Sequence, residues 1–230
     1  MSSPASKKAK TEKPKNIHVS AHSLVSHKVT EMRKTGLSAR DYRQLMKETT
    51  TLVMVEATHH LKHSNKIPIN TDEEGQKQCR KGSSISERLA IVPLSRGGLG
   101  MTDAAMEMLP TTQVLHLGIE ISPKFEPTEY YNRLPDTTAV ERVFILDPML
   151  VSGRTAERAI EILKKCGLDV GKPIEIEVVA LIAKHEAVKM LSETHPEIKV
   201  YVGMIDEDEE EPIMPSLGDV GDRLFNTNVY

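Results

Sequence analysis

The run Asp147-Pro148-Met149-Leu150-Val151-Ser152-Gly153-Arg154-Thr155 combines the residue types that hold a phosphorylated sugar. An apolar stretch, Val143-Phe144-Ile145-Leu146, precedes it, and a helical pattern from about Ala156 to Lys165, stopping at Gly167, follows it. A strand-loop-helix turn of this kind aims several backbone N–H groups at one point, beside the positive end of the helix dipole. That arrangement is a phosphate cradle. Gly153 lets the backbone approach a ligand closely or take positive φ. Ser152 and Thr155 carry hydroxyls that can donate to an anion or cap the helix. Asp147, at the strand end, is placed to accept hydrogen bonds from ribose hydroxyls. A plain strand-to-helix turn with Thr155 as N-cap accounts for the same residues, so the loop alone leaves both readings open.

The elements that must position this loop repeat a strand-loop-helix pattern. Leu89–Leu94 is a short apolar run, followed by a Gly-rich turn and a helix through Met101–Leu109. Val114–Ile119, Val143–Leu146, Ile174–Ala183 and Lys199–Ile205 are further runs, with helices after Val143–Leu146 and after Ile174–Ala183, the latter to about Thr194. Continuous apolar runs separated by helices are what strands buried on both faces look like. The expected fold is α/β: a central, mostly parallel sheet flanked by helices, with a small hood or hairpin region. Two helical patterns come first. One spans about His22 to Arg33, with Leu24, Val25, Val29 and Met32 at helical spacing, and the other runs from Ser38, a plausible N-cap, to about Leu61. The polar stretch Lys62 to Arg88 is expected to hold a short strand or hairpin and ordered loops. Residues 1–16, rich in Lys, Ser and Pro, read as a disordered tail, leaving 17–230 as one domain.

Composition narrows the function classes. Thirty basic against 33 acidic residues give a net charge of −3, so no global basic excess points to nucleic acid. With no Trp and three Phe, there is no aromatic platform for stacking single-stranded bases. No apolar run approaches the roughly 20 residues of a membrane helix. The two cysteines, Cys79 and Cys166, match no metal spacing and fit a reducing, cytoplasmic setting. Lys7-Lys8-Ala9-Lys10 has the form of a nuclear import signal, although a solvating tail is the simpler reading. The acidic run from Asp206 to Glu211 reads as a solvated loop. His59 and His63, four apart, have a chelating spacing if one helix carries both, but nothing else completes a metal site.

Asp-Pro-Met-Leu-Val-Ser-Gly-Arg-Thr-Ala from Asp147 resembles the PRPP loop of uracil phosphoribosyltransferases, and three further segments agree in order. They are Val92-Pro-Leu-Ser-Arg-Gly-Gly-Leu-Gly-Met101, Glu126-Pro-Thr-Glu-Tyr-Tyr-Asn-Arg-Leu-Pro135 and Pro215-Ser-Leu-Gly-Asp-Val-Gly-Asp-Arg-Leu-Phe225. His22 to Arg33 also resembles that family's N-terminal helix, so the similarity covers about residues 20–227. The resemblance implies transfer of the phosphoribosyl group of PRPP to uracil, giving UMP and pyrophosphate in pyrimidine salvage, with Mg²⁺ as cofactor. It implies that Asp147–Thr155 bind ribose and its 5-phosphate, and that Arg96 faces the pyrophosphate. It further implies that main-chain groups of Ile213 and of Gly218, Asp219 and Val220 hold uracil, and that Asp219 reaches PRPP or its metal. Asp147, Arg96 and Asp219 are the implied catalytic set. A homodimer or homotetramer and a GTP effector are also family expectations.

Four departures set the alternative. Arg154 stands where the family usually has Gly. Ile121 stands where it has an Arg that contacts PRPP; losing one such contact costs about 1.5–3 kcal/mol, and Arg154, Lys124 or Arg133 are candidates to compensate. Val220 replaces Ala and Ser216 replaces Gly, adding bulk beside the base. Glu207 to Pro212 is a short acidic stretch in place of a longer hairpin. Ile121, Val220 and the acidic stretch support the alternative, a catalytically lapsed family member that binds PRPP or a nucleotide as a regulator or partner subunit, whereas the loop with Arg154 is still expected to bind phosphate.

Overall fold

The computed structural model describes residues 14–64, 70–71, 77–78, 82–122, 124, 126–135, 139–168, 173–206 and 217–227. In chain order the elements are β1 (Ile17–Val19), α1 (Ser23–Arg33), α2 (Ala39–Thr58), β2 (His63–Ser64), β3 (Asn70–Thr71), β4 (Lys77–Gln78), β5 (Ser84–Ile85), β6 (Leu89–Pro93), α3 (Leu99–Met108) and β7 (Gln113–Val114). Then follow β8 (Leu117–Ile121), β9 (Pro127–Asn132), β10 (Arg142–Leu146), β11 (Met149–Leu150), α4 (Arg154–Leu168), β12 (Glu175–Lys184), α5 (His185–Thr194), β13 (Lys199–Asp206) and α6 (Val220–Phe225).

The expected α/β architecture is what forms. The central sheet runs β1-β13-β12-β10-β6-β7, all pairs parallel, with β11 added beside β12. Its strands are apolar on both faces because both faces are covered. Along β10, Val143 and Ile145 pack toward α4 and α5, while Phe144 and Leu146 pack toward α1, α2, α3 and α6. This alternation slips at Leu181 and Ile182 of β12, which belong to the same side. There the Pro148 carbonyl accepts from both N–H groups, at 3.2 and 3.1 Å, and the slip carries the chain past the end of β10 into β11.

The helix starts obey their caps. Ser38 is the N-cap of α2, its hydroxyl accepting from the Asp41 N–H, and His22 caps α1 through Nδ1. Several expectations shift. Residues 14–16, read as the end of the tail, lead into β1: the Asn16 side chain donates to the Ile198 carbonyl at 2.9 Å, and its carbonyl accepts from Val200. The run at 114–119 divides into β7 and β8, and β8 leaves the sheet to pair antiparallel with β9. Within 62–88, β2 pairs β5 and β3 pairs β4, as short hairpin-like pieces. The basic cluster at 7–10, Cys79, Ile213, Ser216 and the acidic stretch 207–212 lie outside the described residues. His59 and His63 do not share a helix. α2 ends at Thr58, His59 turns its Nδ1 to the Glu56 carbonyl, and His63 sits in β2. Among the described residues no cluster of three or more ligating side chains could hold a metal ion, and no helix is long and apolar enough to cross a membrane.

The amino ends of the strands carry a buried ionic knot. Arg142, 2% exposed, pairs with Glu177 on β12, with Glu87 at 3.1 Å and with Glu175 at 2.6 Å. His60 adds Nε2 to Glu177 at 2.8 Å. A buried ion set contributes little net stability when complete, but removal of its buried guanidinium leaves the buried Glu87 and Glu177 only the more exposed side chains of Lys62 and of Lys199 and His60 as partners. Arg142→Ala is therefore expected to lower unfolding stability by about 3–5 kcal/mol in urea titrations. A loss below about 1 kcal/mol would show that water reaches these carboxylates.

Candidate functional site

The sheet grows in two directions from β6. The chain adds β7 on one side, then returns to place β10, β12 and β13 on the other. Strand order thus reverses between β6 and β10, and the crevice at their carboxyl ends is where open α/β sheets bind ligands. An open cavity of about 340 Å³ lies there, lined by Ser95, Arg96 and Gly97 after β6, by Asp147, Pro148, Met149 and Thr155 after β10, and by Asp219, Val220 and Gly221 of α6. The sequence segments that carry chemistry, up to 126 residues apart, converge on it.

Close backbone approach makes the crevice. The Leu94 N–H donates to the Leu146 carbonyl at 3.0 Å, tying the ends of β6 and β10 together. Gly98 packs onto this bond: a Cβ there would lie 2.2 Å from the Leu146 oxygen and 2.6 Å from the Leu94 nitrogen. The turn between them contains a cis peptide at Ser95-Arg96. In the second loop Gly153 has φ +74°, and a Cβ would come within 2.6 Å of the Met190 methyl. The Gly153 carbonyl accepts from the Glu157 N–H, and Arg154 opens α4, so Thr155 sits in the helix's first turn instead of capping it. Leu150 and Pro148 turn their side chains inward, so these positions offer a ligand main-chain groups only. Ser152 and Arg154 are exposed, and Val151 is half-buried. The starts of α3, α4 and α6 all adjoin the cavity, which favours an anionic ligand.

The charged groups are few and specific. Arg96, about half exposed, donates from Nη2 to Asp222 at 3.0 Å and from Nη1 to the Thr227 hydroxyl at 3.2 Å. Asp219 lies 3.5 Å from the same guanidinium and accepts from the Asp222 N–H as N-cap of α6. The Thr227 hydroxyl and, after it, Arg96 hold the Asp222 carboxyl below the usual carboxylate range. Arg96 stacks on Gly221, where a Cβ would stand 2.9 Å from Nε. Asp147 has the opposite electrostatics. Burial pushes its carboxyl up to about 7, and the Met149 N–H, 3.2 Å from Oδ1, only partly offsets it.

Asp147, Arg96, Asp219, Pro148, Met149, Thr155 and Val220 thus line one cavity. Gly218 holds φ +65° in the turn that delivers Asp219 and Val220. Val220 is 5% exposed, its methyl groups packed over Gly97 and into the core, so the added carbons fill the cavity's floor. Ile121 stands apart: 43% exposed at the tip of β8 opposite Pro127, it does not line the cavity. Asp222 and Thr227 hold Arg96 without having been singled out as site residues. Asp222 lay in the motif at 215–225, whereas nothing in the local sequence marks Thr227.

Asp147 carries a pH signature. Its folded pKa of about 7 lies above the ordinary 3.8, so the unfolded chain gives up this proton first. Stability from this group falls as pH rises from about 4 to about 7, and the penalty is complete above 7. Asp147→Asn is expected to raise the unfolding free energy of the ligand-free protein by about 2–4 kcal/mol at pH 8, and by almost nothing near pH 4. Equal effects at both pH values would refute a buried, destabilised carboxylate.

Similarity to known proteins agrees with this geometry. The family model described as uracil phosphoribosyltransferase matches residues 19–227. A uracil phosphoribosyltransferase of Thermosipho melanesiensis is 38% identical over 215 residues, covering 92% of this chain and 99% of its own length. One from Burkholderia thailandensis is 37% identical over 217 residues, covering 92% and 95%. Among solved structures, the AQ2163 protein from Aquifex aeolicus superposes with a TM-score of 0.80 at 31% identity, covering 93% of this chain and all of that one.

Proposed function

This chain belongs to the uracil phosphoribosyltransferase family, and we propose that it catalyses that family's reaction at the β6–β10 crevice. The N1 of uracil forms a bond to C1 of PRPP, the bond from C1 to pyrophosphate oxygen breaks, and the N1 proton is lost, leaving UMP and pyrophosphate. The observation that carries the proposal is the meeting of Asp147, Arg96 and the Asp219–Gly221 turn at one cavity beside three helix starts.

Each group has a task its environment suits. Backbone N–H groups from Ser152 to Thr155, at the start of α4, receive the 5-phosphate. Asp147 accepts from the ribose hydroxyls; two hydroxyl donors favour its charged form and relieve the burial penalty it carries when alone. Arg96 leaves or shares Asp222 and Asp219 to meet the charge that develops on pyrophosphate. Main-chain groups of Gly218 to Val220, with Ile213, read the alternating donors and acceptors of the uracil edge.

The cavity also fits a magnesium ion. Mg²⁺ is commonly bound by one or two carboxylates together with substrate phosphates and water, and Asp147 and Asp219 supply two carboxylates without forming a closed protein cage. Bound there with PRPP, the ion would neutralise pyrophosphate charge. A homodimer or homotetramer and GTP activation extend the proposal as family expectations.

The lapsed-enzyme reading draws on Ile121 and the short acidic stretch at 207–212. The retained Arg96, Asp147 and Asp219 favour the active one. Purified protein with uracil, PRPP and Mg²⁺ is expected to form UMP, followed by chromatography; absent UMP with PRPP binding intact by calorimetry would establish the lapsed reading instead. For the missing cation, Ile121→Arg is expected to tighten PRPP binding about tenfold, equivalent to about 1.4 kcal/mol. An unchanged Kd would show that the β8–β9 hairpin takes no part in holding PRPP.

A further inference from the structure

Arg223 sits one residue beyond Asp222, yet it faces away from Arg96 and makes a different set of contacts. Its Nη1 donates to the Leu217 carbonyl at 2.9 Å and to the Met32 carbonyl at 2.6 Å, and its Nη2 donates to the Lys34 carbonyl at 2.8 Å. The guanidinium carbon lies 4.2 Å above the ring of Tyr42, which is fully buried in α2. Met32 and Lys34 belong to the last turn and the C-cap of α1, where carbonyls have no partner within the helix and the dipole is negative. One planar cation therefore fastens the end of α1, the face of Tyr42 and the residue that immediately precedes Gly218.

We infer that Arg223 is a positioning residue for pyrimidine recognition, acting through the Leu217 carbonyl to fix the main-chain groups of Gly218, Asp219 and Val220 toward the cavity. This rests on the proposed reading that those groups hold the base. The physical need is clear at Gly218. Its φ of +65° makes the turn between Leu217 and Asp219 a pivot, and among the described residues the atom that a Cβ there would meet is Arg223 Cδ, at 3.8 Å. Leu217 is fully buried on one side, Asp219 is tied into the first turn of α6 on the other, and the Arg223 fork joins the two. The far end of the helix has its own fastening, since Arg43 of α2 donates to the Leu224 carbonyl at 2.6 Å. The α1–α2 pair thus serves as the mount for the base-facing turn. A lysine cannot substitute, because a single ammonium on a flexible stem cannot span three carbonyls and lie flat on a ring.

Arg223→Lys and Arg223→Ala test this, with Arg43→Ala as the control for loosening α6 alone. Both Arg223 variants are expected to raise the KM for uracil at least tenfold while kcat at saturating uracil and the Kd for PRPP stay within threefold. Arg43→Ala is expected to lower the melting temperature while leaving the uracil KM within threefold. A folded Arg223→Lys protein with unchanged uracil KM overturns the inference. So does a PRPP Kd that rises in step with the uracil KM, or an equal KM change in Arg43→Ala. Amide hydrogen exchange separates this outcome from failure of the functional reading. If wild-type protein makes no UMP, that reading fails by itself. Faster exchange confined to residues 218–220 in Arg223→Lys then upholds the positioning role, and unchanged exchange removes it.

Discussion

The hydrogen bond from the Leu94 N–H to the Leu146 carbonyl is the contact on which the site depends. It joins the ends of two neighbouring parallel strands from which the chain departs in different directions, so it fixes the floor of the crevice. Nothing with a side chain can lie against it, and Gly98 does. From that point the geometry follows. The turn carrying Arg96 must leave β6 on one side and the loop carrying Asp147 must leave β10 on the other, and the two helices they start, α3 and α4, cover opposite faces of the sheet. The site is a consequence of strand order before it is a consequence of any catalytic residue.

Charge in the crevice is arranged for exchange of partners. Without ligand, Arg96 is satisfied by Asp222, Asp219 and Thr227, while Asp147 has one N–H donor and a burial penalty. Exposed pairs such as Arg96 with Asp222 are worth little in water, so transferring the guanidinium to a polyanion costs little. The buried carboxylate, by contrast, gains when hydroxyl donors arrive. Binding a phosphorylated sugar would therefore relieve the buried carboxylate and draw on a half-exposed cation. The ionic knot at the other end of the strands is the reverse case. Arg142 is itself buried and pairs with Glu87, Glu175 and Glu177, where removing the guanidinium would strand buried carboxylates.

Much of this was legible in the sequence because it rests on local pattern. The buried strands β6, β10, β12 and β13 are unbroken apolar runs, and the cap at Ser38 marks the start of α2. What escaped rests on contacts distant along the chain. β1 has three residues, Ile-His-Val, and exists because β13 offers it a ladder. α6 is six residues with a glycine, too short to form from propensity alone, and is held by Asp219, Arg43 and Arg223. The partners of Arg96 lie more than 120 residues away, so its type and turn could be read but not whether an ion pair or a ligand holds it. Arg142 and Glu177, at the starts of strands, look like ordinary surface charges until their neighbours are in place.

The departures from the family pattern look different once placed. Val220 spends most of its added bulk on Gly97 and the core, so it shapes the floor of the cavity from below. Arg154 is exposed at the start of α4, where a phosphate held by the loop's N–H groups would meet a cation as well as the positive end of the helix dipole. The substitution therefore leaves the anion-binding chemistry of the loop in place beside the Gly153 turn.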